Sequence, residues 1–188
     1  MICRIIDKLK RIYFNHLSPN AKAEYLRGKV YHMGRNVKIC TNGIGTEPYL
    51  ISIGDNVNVA AGVSFINHDA SIFNIGRLID INAEQPLDKV GSIKLDDNCM
   101  IGAYSVLMPG CSVGKNSVIA AGSVVTKAVP DNEVWGGVPA KFIMTIDDYK
   151  NKMIKVNETY PWMKNGKMVV PQGSKELIKM RQKFFFEE

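Results

Sequence analysis

The sequence predicts an all-β protein built on a three-sided parallel β-helix, and three regularities lead to this fold class. Aliphatic residues recur at every sixth position through one long stretch: Leu95, Ile101, Leu107, Val113, Ile119 and Val125. A small or slim side chain stands four residues after each of these: Cys99, Ser105, Cys111, Ser117, Ser123 and Val129. Asparagine occurs where turns are expected, at Asn56, Asn98 and Asn116. Neither helical nor alternating strand periodicity gives a repeat of six, so we expect triangular coils of three short strands.

Each side of such a coil contributes one large inward side chain. The aliphatic residue fills the interior, and the small residue lies near a corner, where a larger side chain would clash with the adjoining side. Stacked coils pair as parallel strands, and each coil buries its apolar face against its neighbours. Asparagine suits the left-handed backbone conformations that corners require. The same phase occurs at Ile53, Val59 and Phe65, so we expect the coils to occupy residues 29–143.

Two helices are predicted before the coils, and one interruption within them. Residues 1–28 form an N-terminal arm, with one helix from residue 3 to about residue 14 and a second beginning at Ser18 and Pro19. Serine is a good N-cap and proline is favoured at the first helical position. Residues 71–90 fit no hexad and are predicted to be a long inserted loop, a feature that usually has a functional reason.

A helical extension is predicted after the coils, over residues 144–188. Asp147 and Asp148 begin a helix whose lysines come later, an order that favours the helix dipole. Residues 161–173 have the pattern of a hairpin, and Ser174 is placed to cap a last helix.

Composition and charge narrow the classes of protein. No apolar run is long enough to span a bilayer and the basic start is unlike a signal peptide, so a cytoplasmic location is expected. The four cysteines form no C-x-x-C pair, which predicts neither disulfides nor a metal site. Residues 1–40 hold nine Lys and Arg against two Asp and Glu. That excess fits either an arm resting on an anionic membrane surface or a solvated helix face, and no nucleic-acid-reading motif accompanies it.

Two stretches of the sequence resemble a known family. Residues 101–143, IGAYSVLMPGCSVGKNSVIAAGSVVTKAVPDNEVWGGVPAKFI, are similar to hexapeptide-repeat acyltransferases, notably galactoside and maltose acetyltransferases and capsule or lipopolysaccharide O-acetyltransferases. The early EPYLISIGDNV, followed by NHD at residues 67–69, resembles the polysaccharide branch in particular. The resemblance implies a left-handed coil, which is an exception to the right-handed crossover rule. It also implies acetyl-CoA as cosubstrate and a homotrimer with active sites between subunits.

His68 is the predicted catalytic residue because, of three histidines, it alone lies beyond the start of the coils, which is expected near Met33. It follows the inward Phe65 by three residues, near a corner from which its ring can face outward. Imidazole has a pKa near neutrality and can take the proton of an attacking hydroxyl. A purely structural corner histidine is the alternative, but in the resembling enzymes the base is a histidine just before a long loop. Asp69 is a candidate for holding the His68 ring or for serving the corner. Asn67 is a candidate for bonding an acceptor hydroxyl or pantetheine, or is a turn residue.

The resemblance implies a donor site of six residues: Thr126, Lys127 and Lys141 at the nucleotide end of CoA, Ala103 and Ala121 along the pantetheine, and Met100 at the acyl group. Lysine ammonium groups suit the phosphates of the nucleotide. Small residues also allow a slender ligand to approach the backbone, although the repeat itself demands them.

Three loop residues are predicted to contact the acceptor, Glu47 and Tyr49 in an early loop and Arg77 in the long loop, because loops on rigid scaffolds carry specificity. The predicted function is acetyl-CoA-dependent O-acetylation of a sugar hydroxyl, with a carbohydrate acceptor from surface polysaccharide biosynthesis. N-acetylation of an amino-sugar nucleotide uses the same fold and donor, but many such enzymes carry a nucleotide-binding N-terminal domain that this sequence lacks. A non-catalytic scaffold is the remote alternative. A metal enzyme on the same coil is a further alternative, but it needs three histidine ligands, which a single coil histidine cannot supply.

Overall fold

The computed structural model describes residues 2–79 and 87–187 of the chain. The chain divides between Met144 and Thr145 into two compact units. The first unit contains the coils and the second contains helices and a hairpin. None of the described helices is long and apolar enough to cross a bilayer.

Short strands build the coils. In the described residues they are β1 (His32–Met33), β2 (Lys38–Ile39), β3 (Ile51–Ile53), β4 (Asn58–Val59), β5 (Ser64–Phe65), β6 (Ile93–Leu95), β7 (Met100–Ile101), β8 (Val106–Leu107), β9 (Ser112–Val113), β10 (Val118–Ile119), β11 (Val124–Val125), β12 (Glu133–Gly136) and β13 (Lys141–Thr145). Three sheets contain them: side A with the order β1-β3-β6-β9, side B with β13-β12-β10-β7-β4-β2, and side C with β11-β8-β5.

The chain visits sides A, B and C in turn, and the strands of successive coils are parallel. Between the coils of residues 93–125, paired residues on all three sides stand eighteen positions apart: Lys94 with Ser112, Met100 with Val118 and Val106 with Val124. Three sides of six residues give this spacing, so the predicted three-sided parallel coil is confirmed.

The interior of the coil follows the six-residue pattern. All nine predicted inward residues are buried: Ile53, Val59, Phe65, Leu95, Ile101, Leu107, Val113, Ile119 and Val125. The predicted corner residues are also buried, and their hydroxyls find carbonyl partners, as a buried polar group requires. Ser105 and Ser123 both donate to the Ala120 carbonyl, and Ser117 donates to that of Pro130.

Asparagine forms one edge of the coil. Asn36, Asn56, Asn98, Asn116 and Asn132 all have φ between 55° and 61°, in the left-handed region. Their amides join across coils, with Asn36 donating to Asn56, Asn98 to Asn116 and Asn116 to Asn132 at 2.8 to 2.9 Å. The predicted turn role of asparagine is confirmed. The hydrogen bonds between these side chains are an addition that the sequence did not predict.

The N-terminal helices are α1 (Ile2–His16) and α2 (Pro19–Leu26), as predicted. The Ser18 hydroxyl accepts a hydrogen bond from the Ala21 amide and caps α2. Ala23 and Leu26 of this helix are buried in the same apolar cluster as the coil interior. The second helix therefore continues the core of the first coil.

The prediction that residues 71–90 form only a loop is wrong, because α3 (Ser71–Leu78) lies within them. The N-cap position is Ala70, whose side chain cannot cap, and the helix has no buried residue. The usual start signal was therefore missing at the N-cap position of the sequence. Part of the predicted loop, residues 80–86, lies outside the described residues.

The second unit contains α4 (Ile146–Glu158), a hairpin of β14 (Met163–Lys164) and β15 (Lys167–Met168), and α5 (Lys175–Phe186). The Thr145 and Ser174 hydroxyls cap α4 and α5, respectively. The predicted helices and hairpin are confirmed. With five helices in the described chain, the class all-β applies to the coil alone.

Replacement of Leu107 by Ala should lower the free energy of unfolding by about 3 kcal/mol, because it leaves a cavity where a fully buried side chain packs between stacked coils. Val106 precedes it on the same strand and is only half-buried, so Val106→Ala should cost about 1 kcal/mol or less. Urea denaturation at one fixed protein concentration measures both values. Equal losses would contradict the assigned inward phase.

Candidate functional site

His68 lies at the corner between sides C and A, three residues after the buried Phe65. Its side chain is 26% exposed, with Nδ1 3.1 Å from Glu47 Oε1 and Nε2 3.6 Å from Asp88 Oδ1. Nε2 itself is buried and has no hydrogen-bond partner among the described residues. An imidazole with one nitrogen engaged by a carboxylate and the other free can accept a proton at the free nitrogen.

Asn67 holds the early loop, residues 41–48, against His68. Its buried side chain donates to the Glu47 carbonyl and accepts from the Glu47 amide. Gly45 lies so close that an added Cβ would be 2.8 Å from Asn67 Oδ1. The Asn67 amide is thus occupied by loop backbone, which corrects the expectation that it bonds an acceptor hydroxyl or pantetheine.

Asp69 does not contact the His68 ring. It accepts from Lys89 Nζ at 2.6 Å and from the Ser71 amide at 3.0 Å, and these hydrogen bonds hold its pKa well below the usual range. Of the two roles considered for Asp69, holding the His68 ring is therefore not the one seen, and Glu47 provides the carboxylate at Nδ1. Asp69 instead anchors the first turn of α3 and the returning segment of the insertion.

Glu47 connects Tyr49, a predicted acceptor contact, with His68, the predicted base. Its second carboxylate oxygen accepts a hydrogen bond from the Tyr49 hydroxyl, which raises the pKa of Tyr49. Tyr49, Glu47 and His68 therefore form one connected chain of polar side chains. Arg77, the third predicted acceptor contact, lies exposed in α3.

Asp88 was not predicted as a functional residue, although it lies in the predicted functional loop. The insertion returns beside the corner, where His68 forms an antiparallel bridge with Val90 and the Asp69 amide donates to the Lys89 carbonyl. This pairing carries the Asp88 carboxylate to the buried ring nitrogen. The length of the insertion directly after His68 was the only signal in the sequence, and it did not single out one residue.

The predicted donor residues fall into two groups on the coil surface. Met100 lies on side B with its side chain exposed, and Ala103 and Ala121 follow at stacked corners between sides B and C, where the Gly122 amide donates to the Ala103 carbonyl. Thr126 and Lys127 are exposed after β11, at the corner between sides C and A.

His68 shares its corner with Thr126 and Lys127, two coils away, because Ile66 donates to the Leu107 carbonyl and Met108 to that of Val125. At about 4.8 Å per strand this is roughly 10 Å along the coil axis. The group of Met100, Ala103 and Ala121 lies across side C, about 20 Å away for six extended residues. One subunit therefore presents His68 on one edge of the coil and this group of three residues on another.

Lys141 begins β13 on side B, and the Lys127 ammonium lies 5.3 Å from the centre of the Trp135 ring. Gly102 has a structural role, since an added Cβ would lie 2.4 Å from the Ala121 nitrogen of the next coil. For this glycine, the packing demand of the repeat explains the small residue without a ligand.

Among the cavities that border the early loop, two lie along the coil. One, of about 540 Å³, follows the free edge of side C between residues 40–45 and 61–66. The other, of about 310 Å³, lies on side A and is lined by Tyr31, Tyr49, Leu50, Ser52, Ser92, Ile93 and Lys94. Tyr49 joins the second cavity to the Glu47 and His68 pair.

A cysteine nucleophile does not fit this site. Cys99 and Cys111 are buried in the coil, and burial raises the pKa of their thiols to about 12 and about 11. Such thiols stay protonated and inert near neutral pH. The part of the chain that the structure describes also contains no cluster of three His, Cys, Asp or Glu residues able to hold a metal.

Comparison with known proteins connects the coil and its site to one class. Residues 92–127 match the family model for the bacterial transferase hexapeptide (six repeats). Protein CapG of Staphylococcus aureus is 33% identical over 150 residues, which cover 78% of this chain and 84% of that protein. Galactoside O-acetyltransferase of Escherichia coli is 34% identical over 127 residues, covering 64% of this chain and 57% of that protein.

A solved structure agrees with these sequence matches. The maltose O-acetyltransferase from Clostridium difficile 630 superposes with a TM-score of 0.53 at 26% identity, covering 73% of this chain and 83% of that one. Coil and family model together define a hexapeptide-repeat transferase. Given the similarity to CapG and to named acetyltransferases, the chain belongs to the hexapeptide-repeat acyltransferase family and is an acyltransferase.

Proposed function

We propose that this protein is an acetyl-CoA-dependent O-acetyltransferase that modifies a sugar hydroxyl in surface polysaccharide biosynthesis. The observation that carries the proposal is His68, with Glu47 at Nδ1 and a buried Nε2 that has no hydrogen-bond partner in the described chain. Similarity to galactoside and maltose O-acetyltransferases and to CapG supports the acetyl donor and the carbohydrate acceptor. Family membership supports a left-handed coil, and the use of acetyl-CoA supports a cytoplasmic location.

In the proposed reaction, His68 Nε2 accepts the proton of the acceptor hydroxyl as the oxygen attacks the thioester carbonyl. Glu47 accepts the hydrogen of Nδ1, which fixes the tautomer with the lone pair on Nε2 and stabilises the imidazolium that forms. The carbon–sulfur bond then breaks, and the imidazolium returns the proton to the leaving CoA thiolate. The acetyl group passes directly to the hydroxyl, with no covalent enzyme intermediate.

The proposed donor site follows the two groups of residues. Thr126, Lys127 and Lys141 bind the nucleotide end of CoA, where ammonium groups attract phosphate. Ala103 and Ala121 lie along the pantetheine, and Met100 faces the acyl group. The exposure of Met100, Thr126, Lys127 and Lys141 supports their access to a ligand.

The proposed assembly is a homotrimer with each active site between two subunits. The separation of His68 from Met100, Ala103 and Ala121 across side C supports this arrangement, because a donor reaching both must use two subunits. A closed threefold ring then completes three equivalent sites.

The proposed acceptor site includes the cavity on side A. Exposed Tyr31 and Tyr49 offer aromatic surface, and Ser52 and Ser92 offer hydroxyls, a combination suited to the apolar faces and hydroxyl edges of a sugar. Asp88, 3.6 Å from His68 Nε2, is placed to accept a hydrogen bond from a second hydroxyl of the same sugar. Arg77 remains a proposed contact at the edge of the insertion.

His68→Ala should lower acetyl transfer by a hundredfold or more, since loss of a general base typically costs about a hundredfold to ten-thousandfold in rate. Acetyl-CoA affinity and melting temperature should stay near those of the parent, because the base acts only in the transition state. Release of CoA is measured with free sugars, sugar nucleotides and lipid-linked oligosaccharides. A folded variant that keeps more than about a tenth of its turnover contradicts the assignment.

Glu47→Gln should lower turnover roughly tenfold to a hundredfold with little change in acetyl-CoA affinity, because glutamine can accept from Nδ1 but cannot stabilise the imidazolium. Asp69→Asn is the matched control, since Asp69 bonds Lys89 and Ser71 and not the ring. It should keep turnover within about threefold, below the outer-shell effect. Steady-state kcat and KM of both variants are compared, and the reverse order of losses argues against Glu47.

Lys127→Ala and Lys141→Ala should each weaken acetyl-CoA by about tenfold or more while leaving S-acetylpantetheine, which lacks the phosphates, nearly unaffected. Lys115→Ala, another exposed lysine, serves as the control and should change neither donor. The KM values for acetyl-CoA and for S-acetylpantetheine are measured for the parent and for each lysine variant. Equal losses for both donors would remove these lysines from the nucleotide site.

Light scattering should give a mass of about three times the 20.9 kDa chain. Mixed oligomers of His68→Ala and Ala103→Arg subunits should regain activity that neither variant has alone, because some interfaces then combine an intact histidine with an intact donor groove. A monomeric mass, or mixed oligomers as inactive as the parents, would exclude a site shared between subunits.

A further inference from the structure

Helix α1 has an apolar face that is largely exposed, and in the described chain only Tyr13, at its edge, lies beside another aromatic ring, that of Tyr25 at 6.1 Å. Ile6, Leu9, Ile12 and Tyr13 are between 43% and 60% exposed. Their spacing of three and four residues places them on one side of a helix. A contiguous apolar surface of this kind, bordered by polar residues, is typical of a protein or membrane interaction site.

This apolar face is not the one by which α1 packs onto the coils. Phe14 is the buried residue among the described side chains of this helix, and its ring centre lies 5.3 Å from that of Tyr25 in α2. At 100° per residue, Phe14 points about 140° away from Leu9, the middle of the apolar face. The packing of α1 therefore directs Leu9 and its neighbours away from the coil.

Lysines border the apolar face on both sides. Lys8 and Lys10 are exposed and point about 100° to either side of Leu9. Lysine side chains at such positions extend their ammonium groups toward anionic head groups while their methylene stems lie on apolar surface. Residues 1–40 hold nine Lys and Arg against two Asp and Glu, so the whole arm is attracted to negative charge.

We propose that α1 lies in the surface of an anionic bilayer, with Leu9 at the centre of the inserted face and Lys8 and Lys10 at the head groups. Helices with one apolar face and a basic polar face bind membranes in this way. A twofold contact of this face with the same face of a second copy is a poorer occupant, because it brings two rows of lysines together. The contact is peripheral, and the proposal does not depend on which acceptor the enzyme modifies.

Sedimentation of the full chain with vesicles tests the proposal. The protein should bind vesicles of phosphatidylcholine with one-third phosphatidylglycerol, and should not bind phosphatidylcholine alone. Leu9→Asp should lower the bound fraction at least fivefold. The control is Ile154→Asp in α4, because Ile154 is 57% exposed against 59% for Leu9, and this variant should bind like the parent.

Charge is tested separately from apolar contact. Replacing Lys8 and Lys10 together by Gln should weaken binding by roughly tenfold or more, since each lysine near an anionic surface adds attraction. The same change at Lys152 and Lys155 of α4 removes equal charge and should have little effect. Circular dichroism checks that every variant is folded.

Two results would overturn the proposal. One is failure of the folded parent to bind anionic vesicles at low salt. The other is a Leu9→Asp variant that binds vesicles like the parent but has a smaller mass by light scattering, which would show that this face joins copies of the chain.

Discussion

Each side of the coil directs one aliphatic side chain inward, and the pairing between coils depends on that placement. A slip of one residue on any side would turn the buried residue outward and expose its neighbour in the interior. The eighteen-residue register seen at Lys94 and Ser112 is therefore maintained by packing as well as by backbone hydrogen bonds. Since corners take their positions from this register, surface residues many positions apart in sequence come into line along one edge.

The site forms where the coil is interrupted. Residues 41–48 stand where the first coil would have its strand of side C. The insertion after His68 departs from the next coil, just after its strand of side C. Because the coils are stacked, two interruptions one coil apart emerge next to each other. The first brings Glu47 to one ring nitrogen of His68 and the second brings Asp88 to the other. The rigid repeat thus positions irregular segments that could not hold a geometry by themselves.

The sequence predicted what repeats and failed where contacts are not periodic. Inward residues such as Ile101 and corner residues such as Ser117 follow from the spacing of six, because each is defined by its own position in a coil. The corner position of His68 could be predicted because His68 follows the inward Phe65 by three residues. The partner of His68 did not, because Asp69 is adjacent in sequence while Glu47 reaches the ring only through a loop anchored by the buried Asn67. Helix α3 was missed because its N-cap position is Ala70, which has no capping side chain, and because Asp69, which accepts from the Ser71 amide, was considered as a partner of His68 instead.

Three of the asparagines along one edge, Asn98, Asn116 and Asn132, form a continuous chain of side-chain hydrogen bonds. Asn116 is an interior unit of it, donating to Asn132 and accepting from Asn98, whereas Asn132 and Asn98 each take part in one such bond. Loss of an interior amide removes two links and leaves two unmatched neighbours, while loss of a terminal amide removes one. Neighbouring bonds in such a chain also polarise one another. Tolerance to substitution along this edge is therefore graded by position, with identical residues in near-identical backbone conformations contributing unequally to the fold.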